Sequence, residues 1–417
     1  MDEGSRISGF YKLGVDGRVK KIAALAKLSD EEVETLRMGL SIEQCDRMIE
    51  NVVCRVNIPV GIATNFLING RDYLIPMATE EPSVVAAASN AAKIVRESGG
   101  FSAKSTEPEM IGQIQVMAEN PAKAKEAILK NREEIIKLAN MKDPTLVSLG
   151  GGVKDLEVRV IDSAIGKMVI VHLFVNVQDA MGANAVNTMA EAVAPYIEEI
   201  TCGKVFLRIL SNLALRRMAE ASCVIGKDII GEDAVNGVVV AYEFAAADIF
   251  RAATHNKGVM NGITAVALAT GNDTRAVEAG AHAYASISGR YSPITKWSKD
   301  NEGNLRGEIK LPLAVGTFGG ATNNPVARVM LKVLGVKKAR ELSEVLAAVG
   351  LAQNFAALKA LSTEGIQRGH MELHAKNVAV MAGAREDEVS KIADTLVKEK
   401  NVRVDRAKEL LSALRGG

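Results

Sequence analysis

The chain has 417 residues, with 51 Lys and Arg against 50 Asp and Glu, a net charge of +1. That length predicts roughly two to three domains, and 48% hydrophobic residues are too many for global disorder. Near-neutral charge argues against a protein that holds nucleic acid or an anionic membrane by charge, and 4% aromatics are too few for a base-stacking platform, although a local basic pocket for a phosphorylated ligand stays open.

Leu28-Ser29-Asp30-Glu31-Glu32 reads as a helix start with acids in its first turn, and Ser41-Ile42-Glu43-Gln44 as another. Residues 56–77 alternate toward strand, with Asn69-Gly70 as the turn between Ile62–Ile68 and Tyr73–Met77. Glu80-Glu81-Pro82-Ser83 opens an Ala/Val-rich helix to Ser98, Pro82 suiting its first turn, and Gly99-Gly100 ends it. Further on, Ile111–Met117, Leu156–Ile161, Lys167–Val177 and Val205–Leu210 are strand-like, while Pro121–Asn140 and Ala183–Thr201 are helical. The order β-α-β-β-α-β is the ferredoxin-like pattern. The fold class is therefore α+β. A compact domain at 107–216 is inserted into a large domain made of 1–106 and 217–365. In the large domain Ala241–Thr254 predicts a long central helix of small side chains. Gly319-Gly320-Ala321 permits close backbone approach. After 365 the composition turns polar. Residues 385–399 and 403–414 predict amphipathic helices of a small C-terminal unit, 366–417, with Gly369 either a hinge or a plain turn.

The longest apolar stretches, Val238–Ala247 and Met168–Val177, fall short of the roughly 18–20 residues that span a bilayer. Met1-Asp2-Glu3-Gly4-Ser5 lacks the basic-then-apolar order of a signal peptide. Together these predict a cytoplasmic protein with no membrane partner. Cys45, Cys54, Cys202 and Cys223 form no Cys-x-x-Cys pair and read as reduced thiols. His370 and His374 stand four apart without a metal-binding frame around them, so no metal site is predicted.

Four blocks can carry chemistry. The first is Asp143 together with Asp179-Ala180-Met181-Gly182-Ala183-Asn184. A glycine turn entering a helix offers free N–H groups to a pyrophosphate, and an acid can accept from an adenosine ribose. The second is His255-Asn256-Lys257-Gly258-Val259-Met260-Asn261-Gly262, followed by Asn272-Asp273-Thr274-Arg275. Lys257 there suits oxyanion stabilisation or a Schiff base, or is a surface lysine. Asp273 and Arg275 equally suit an ordinary ion pair. The third, Glu80-Glu81-Pro82-Ser83, is either a helix-start charge complement or a functional acid. The fourth, Gly369-His370-Met371-Glu372-Leu373-His374, offers an imidazole able to protonate a thiolate near neutral pH.

Taken in order, Met77-Ala-Thr-Glu-Glu-Pro-Ser-Val-Val-Ala-Ala-Ala88, Asp179-Ala-Met-Gly-Ala-Asn184, His255-Asn-Lys-Gly-Val-Met-Asn-Gly262, Gly271-Asn-Asp-Thr-Arg-Ala-Val-Glu-Ala-Gly-Ala-His282 and Gly365-Ile-Gln-Arg-Gly-His-Met371 resemble 3-hydroxy-3-methylglutaryl-CoA (HMG-CoA) reductase, in its class II, soluble prokaryotic branch. The resemblance covers nearly the whole chain. It implies a four-electron reduction of HMG-CoA to mevalonate and CoA with two reduced nicotinamides, through a mevaldyl-CoA hemithioacetal and mevaldehyde. By the same matching Glu81 is the proton donor to the carbonyl oxygen and Lys257 the oxyanion cation. Asp273 is the centre of their hydrogen-bond network, within reach of both. His370 is the acid for the departing thiolate, preferred over His374 because it sits in Gly-His-Met, and the tail that carries it is a mobile flap. Ser83, Arg251, Asn261, Gln353 and Asn354 match contacts to the hydroxymethylglutaryl group, and Arg6 a contact to a CoA phosphate. Asp143, Asp179, Met181, Gly182, Asn184 and Asn212 fall at nicotinamide-dinucleotide positions. Asp143 disfavours a 2′-phosphate, which leans the choice toward NADH over NADPH. The family further implies a homodimer with shared active sites, with assembly of the dimers into a hexamer left open, and no nucleic-acid partner. The same catalyst run backward on mevalonate is the alternative direction. A nucleic-acid module would need stacking aromatics on its sheet, where only Phe206 appears, and a lysine aldolase would need an adduct on Lys257.

Overall fold

The structure is a computed structural model; it describes residues 4–319, 324–363 and 366–415, the side chains at 366–373 and 386–387 excepted. Gly320 and Ala321 of the close-approach motif lie outside the described residues. The chain begins with α1 (Val15–Ala26), α2 (Asp30–Met38) and α3 (Ile42–Asp46), then β1 (Val60–Ile68), β2 (Arg71–Ala78), α4 (Val84–Glu97) and β3 (Ser102–Ser105). Next come β4 (Glu109–Met117), α5 (Pro121–Lys130), α6 (Arg132–Asn140), α7 (Pro144–Ser148), β5 (Gly152–Ser163), β6 (Gly166–Asn176), α8 (Ala183–Thr201) and β7 (Lys204–Ser211). After them stand β8 (Met218–Ile225), α9 (Lys227–Ile230), α10 (Glu232–Ala247), α11 (Ile249–Ala269), α12 (Thr274–Ala285), β9 (Thr295–Lys299), β10 (Leu305–Pro312), α13 (Pro325–Leu334) and α14 (Ala339–Ser362). The chain closes with α15 (Ile366–Met381), α16 (Glu386–Lys398) and α17 (Val404–Leu414).

Local chemistry explains most boundaries. Ser29 with Glu32, and Ser41 with Gln44, form reciprocal capping boxes that start α2 and α3. Asn69 and Gly70 both take positive φ, 51° and 75°, as a two-residue hairpin requires. Four expectations shift. Pro82 lies outside α4, whose N-cap is Ser83. The helix expected over Pro121–Asn140 breaks into α5 and α6 at Asn131, whose Nδ2 donates back to the Ala127 carbonyl while its Oδ1 accepts from the Tyr196 hydroxyl. The helix expected over Ala241–Thr254 ends at Ala247, because Asp248 turns extended and its carboxylate caps α11 through the Arg251 N–H. Gly369 lies within α15 and not at a turn.

Among the described residues the strands form two four-stranded antiparallel sheets and one hairpin. One sheet has the order β5-β6-β4-β7, the ferredoxin-like arrangement, and the other β3-β8-β10-β9. Strand β3 directly precedes the ferredoxin-like segment, β8 directly follows it, and the two pair from Ser102↔Ser222 to Ser105↔Ala219. The ferredoxin-like segment has its own core of Met110, Ile114, Val171, Leu173, Met189 and Val193. The largest core gathers around α11 and α14. Those two helices, not Ala241–Thr254, are the central ones: α14 is buried continuously from Val345 to Phe355. They cross closely because glycine stands at both contact points. A Cβ on Gly262 would meet Gln353 Cβ and the Val349 carbonyl oxygen at 3.0 Å, and one on Gly350 would meet Ile263 Cδ1 at 2.7 Å. Among the described residues α14 alone is long and apolar enough to cross a membrane by length and composition, and 67% of its most apolar window is buried inside the fold. The three C-terminal helices share a separate small core of Ala375, Val378, Ile392, Leu396 and Leu411.

Candidate active site

Glu81 sits in the turn that joins β2 to α4, its backbone N–H donating to Thr79 Oγ1 at 3.2 Å. Lys257 and Asn261 stand four apart on α11 and therefore share a face. Both reach the same carboxylate: Lys257 Nζ donates to Glu81 Oε2 at 2.6 Å, and Asn261 Nδ2 to Oε1 at 3.3 Å. Beside them Ser83 holds a left-handed backbone, φ 71°, and its hydroxyl makes no capping bond. A serine there is strained, and such strain clusters where a side chain must be presented to a ligand.

Asp273 is elsewhere in the chain. It caps α12, accepting from the Arg275 and Ala276 N–H groups, and its two oxygens accept from Arg275 Nε and Nη2, each at 3.1 Å. Arg275, more than any other group, holds the carboxyl below its ordinary range, so it is ionised. Twelve residues of α11 separate Lys257 from Ala269, roughly 18 Å of helix rise. Asp273, beyond that end, does not reach the Lys257 of its own chain.

Arg251 opens α11 half-buried, and no carboxylate among the described residues pairs with it; burial pulls its pKa down. Gln353 and Asn354 are buried on α14. Gln353 Oε1 has no partner among the described residues. Asn354 Oδ1 is already occupied by Trp297 Nε1 at 2.7 Å and Thr295 Oγ1 at 2.9 Å, which leaves its amide nitrogen to meet a ligand. Arg6 is exposed, next to a Ser5 that is pinned to the hairpin by Asp72 and the Phe66 carbonyl. His370 lies on α15, its side chain outside the described residues, while its rival His374 is exposed.

The dinucleotide positions form a second group. Gly182 caps α8 at φ 100° with no side-chain bond, so the first N–H groups of this 19-residue helix have no side-chain acceptor at the cap. Asp143 caps α7 with one oxygen, accepting from the Leu146 N–H at 2.8 Å. Asp179 Oδ1 accepts the Ala339 N–H at 2.8 Å, tying this loop to the start of α14. Asn184 and Asn212 are exposed, and the Asn212 carbonyl oxygen would lie 2.7 Å from a Cβ on Gly280 of α12. Sequence reasoning missed Arg217. It is buried, and its guanidinium donates to the Met181 carbonyl at 2.9 Å, to Ala180 at 3.0 Å and to Val315. Burial pushes it down to about 10, yet it remains a cation that clamps the Ala180-Met181 turn. The Arg216-Arg217 pair at the head of β8 was the available signal.

The model of the family described as hydroxymethylglutaryl-coenzyme A reductase matches residues 17–375. A 3-hydroxy-3-methylglutaryl-coenzyme A reductase from Archaeoglobus fulgidus is 62% identical over 415 residues, 99% of this chain and 95% of that protein. A reductase structure from Streptococcus pneumoniae superposes with a TM-score of 0.83 at 42% identity, covering 98% of this chain and 99% of that one. A second from the same organism, a class II enzyme bound to NADPH in open conformations, does so with a TM-score of 0.82, covering 97% and 100%. The chain belongs to the hydroxymethylglutaryl-coenzyme A reductase family, in its class II branch.

Proposed function

We propose that the chain reduces HMG-CoA to mevalonate and CoA, and that Glu81, Lys257 and Asn261 hold the reacting carbonyl. The observation that carries this is the single carboxylate reached by both Lys257 and Asn261 in a chain of this family. Reduction of a thioester carbonyl places negative charge on its oxygen. An ammonium and a proton donor must converge there, and Lys257 and Glu81 do. Asp273 is supplied by a second copy of the chain. Its ionised carboxylate joins the pair and holds both side chains on the oxygen; the roughly 18 Å of α11 between the two positions supports this arrangement. Arg251, which pairs with no carboxylate among the described residues, takes the substrate carboxylate bidentately. Ser83 and the Asn354 amide nitrogen complete the hydroxymethylglutaryl contacts with Gln353. Arg6 meets a CoA phosphate, and His370 protonates the departing thiolate from a C-terminal flap, residues 366–417.

The residues at the head of α8 fit a nicotinamide dinucleotide. Ala183 and Asn184 offer helix N-terminal N–H groups behind Gly182, with Met181 clamped by Arg217, which suits a pyrophosphate. Asp143 and Asp179 keep oxygens for a ribose, and Asn212 flanks them. When bound, this group supplies the hydride. Asp143 repels a 2′-phosphate, so NADH is the preferred form. The pairing of β3 with β8 around the ferredoxin-like segment supports its treatment as an inserted nucleotide-binding domain at 107–216, between 1–106 and 217–365. The relatives carry the name of the reductive reaction, and that direction is the one assigned here.

A spectrophotometric assay of HMG-CoA with NADH and NADPH in parallel tests the reading. Oxidation of two nicotinamides per CoA released, faster with NADH, is expected. No HMG-CoA-dependent oxidation would reject the activity, and a preference for NADPH would reject the role of Asp143.

A further inference from the structure

Beneath the proposed substrate contacts lies a buried relay whose protons can be assigned. Trp297, Asn354, Thr295 and His255 are each 3% exposed or less. An indole N–H only donates. The Asn354 atom 2.7 Å from Trp297 Nε1 is therefore the amide oxygen, which fixes the amide's orientation. Thr295 Oγ1, 2.9 Å from that same oxygen, must spend its one proton there. Its lone pairs then face His255 Nε2 at 2.6 Å, so Nε2 carries the imidazole proton. His255 Nδ1 is left as a bare acceptor, buried and without a partner among the described residues. Burial first, and the Arg251 cation second, push this imidazole down to about 4, so the lone pair persists at neutral pH.

Arg251 precedes His255 by one helical turn, and a helical side chain leans back over the turn before it. We propose that His255 is a positioning residue: its Nδ1 accepts an N–H of Arg251 in the loaded site, while the same relay presents the Asn354 amide nitrogen to the substrate. The chemistry favours a neutral acceptor. A carboxylate would orient Arg251 equally well but would neutralise it and compete with the substrate carboxylate. An imidazole lone pair orients the guanidinium and leaves its charge for the ligand. This rests on the reading of Arg251 as a substrate contact.

Steady-state kinetics on the full-length enzyme separate the two. Arg251→Ala must raise KM for HMG-CoA; if it does not, the reading of Arg251 falls and the inference with it. His255→Gln keeps a donor toward Thr295 but loses the Nδ1 acceptor. We expect KM for HMG-CoA to rise about tenfold, the worth of one hydrogen bond to a charged group, with KM for the nicotinamide unchanged. His255→Asn, which restores an oxygen near Nδ1, should return KM toward wild type. If His255→Gln leaves KM alone while Arg251→Ala raises it, the relay is structural only. Tyr242, its ring centre 6.4 Å from that of His255, carries a neighbouring hydroxyl that serves as the control. Tyr242→Phe should change nothing, and an effect equal to that of His255→Gln would hand the lone pair to Tyr242 and overturn the proposal. Should His255→Gln fail to fold, Thr295→Val lets the imidazole adopt the opposite tautomer, and the same rise in KM is required of it.

Discussion

Lys257 and Glu81 meet at 2.6 Å with side chains 60% and 38% exposed, a setting in which screening leaves an ion pair about 0–1 kcal/mol. Lys257→Ala is therefore expected to fold with a thermal midpoint close to wild type and to lose reduction of HMG-CoA. Near-normal turnover would remove Lys257 from the mechanism. His370→Gln should slow reduction of HMG-CoA far more than reduction of mevaldehyde, because only the thioester must release a thiolate; equal losses would move that role to another acid, His374 first. Asp72 makes a different kind of prediction. Arg96 chiefly, helped by Ser5, draws its pKa down to about 2. A carboxyl depressed in the folded state stabilises above its unfolded value, near pH 4, and the effect fades as pH falls toward 2. Asp72→Asn should flatten the fall of the urea midpoint between about pH 4 and pH 2. It should also raise KM for HMG-CoA, since Asp72 anchors Ser5 beside Arg6; an unchanged pH profile would deny Asp72 this part in stability.

Helices α11 and α14 carry Arg251, Lys257, Asn261, Gln353 and Asn354, and their separation is set by glycine. Gly262→Ala would push a methyl against Gln353 and the Val349 carbonyl, where overpacking costs about 1–3 kcal/mol. A lower thermal midpoint together with a raised KM for HMG-CoA is expected, because Gln353 is the residue displaced; a wild-type midpoint would mean the helices part without cost. Element type was largely legible. The capping boxes at Ser29 and Ser41, the Asn69-Gly70 turn and the period-2 strands of the ferredoxin-like segment all stand as the local patterns indicate. The misreadings at Asn131 and Asp248 share one cause. Short polar side chains inside a helix-like pattern bonded the backbone and broke the helix, a competition that hydrophobic periodicity does not register.

Across the whole molecule, the proposed site needs two copies of the chain. Phe250 is 83% exposed, Val240 68% and Phe244 58%, an apolar surface at the α10–α11 junction suited to burial against a second subunit. Lys257→Ala and Asp273→Ala should each be inactive as homodimers. After subunit exchange, half the dimers are hybrids with one intact site, so mixing should restore roughly a quarter of wild-type activity. No recovery after verified exchange would place the whole site in one chain.

The order of long motifs identified the family, and side-chain periodicity laid out helices and strands, because both are properties of neighbouring residues. Glu81 and Lys257 were legible as candidates for the same reason. That they share a carboxylate oxygen contact, while Asp273 lies beyond the far end of α11, follows from how β2, α4 and α11 pack, which no local spacing encodes. The proton order from Trp297 to His255 belongs to the same class. It joins positions 255, 295, 297 and 354 inside a core, where each donor must find its acceptor because these side chains are shielded from bulk solvent.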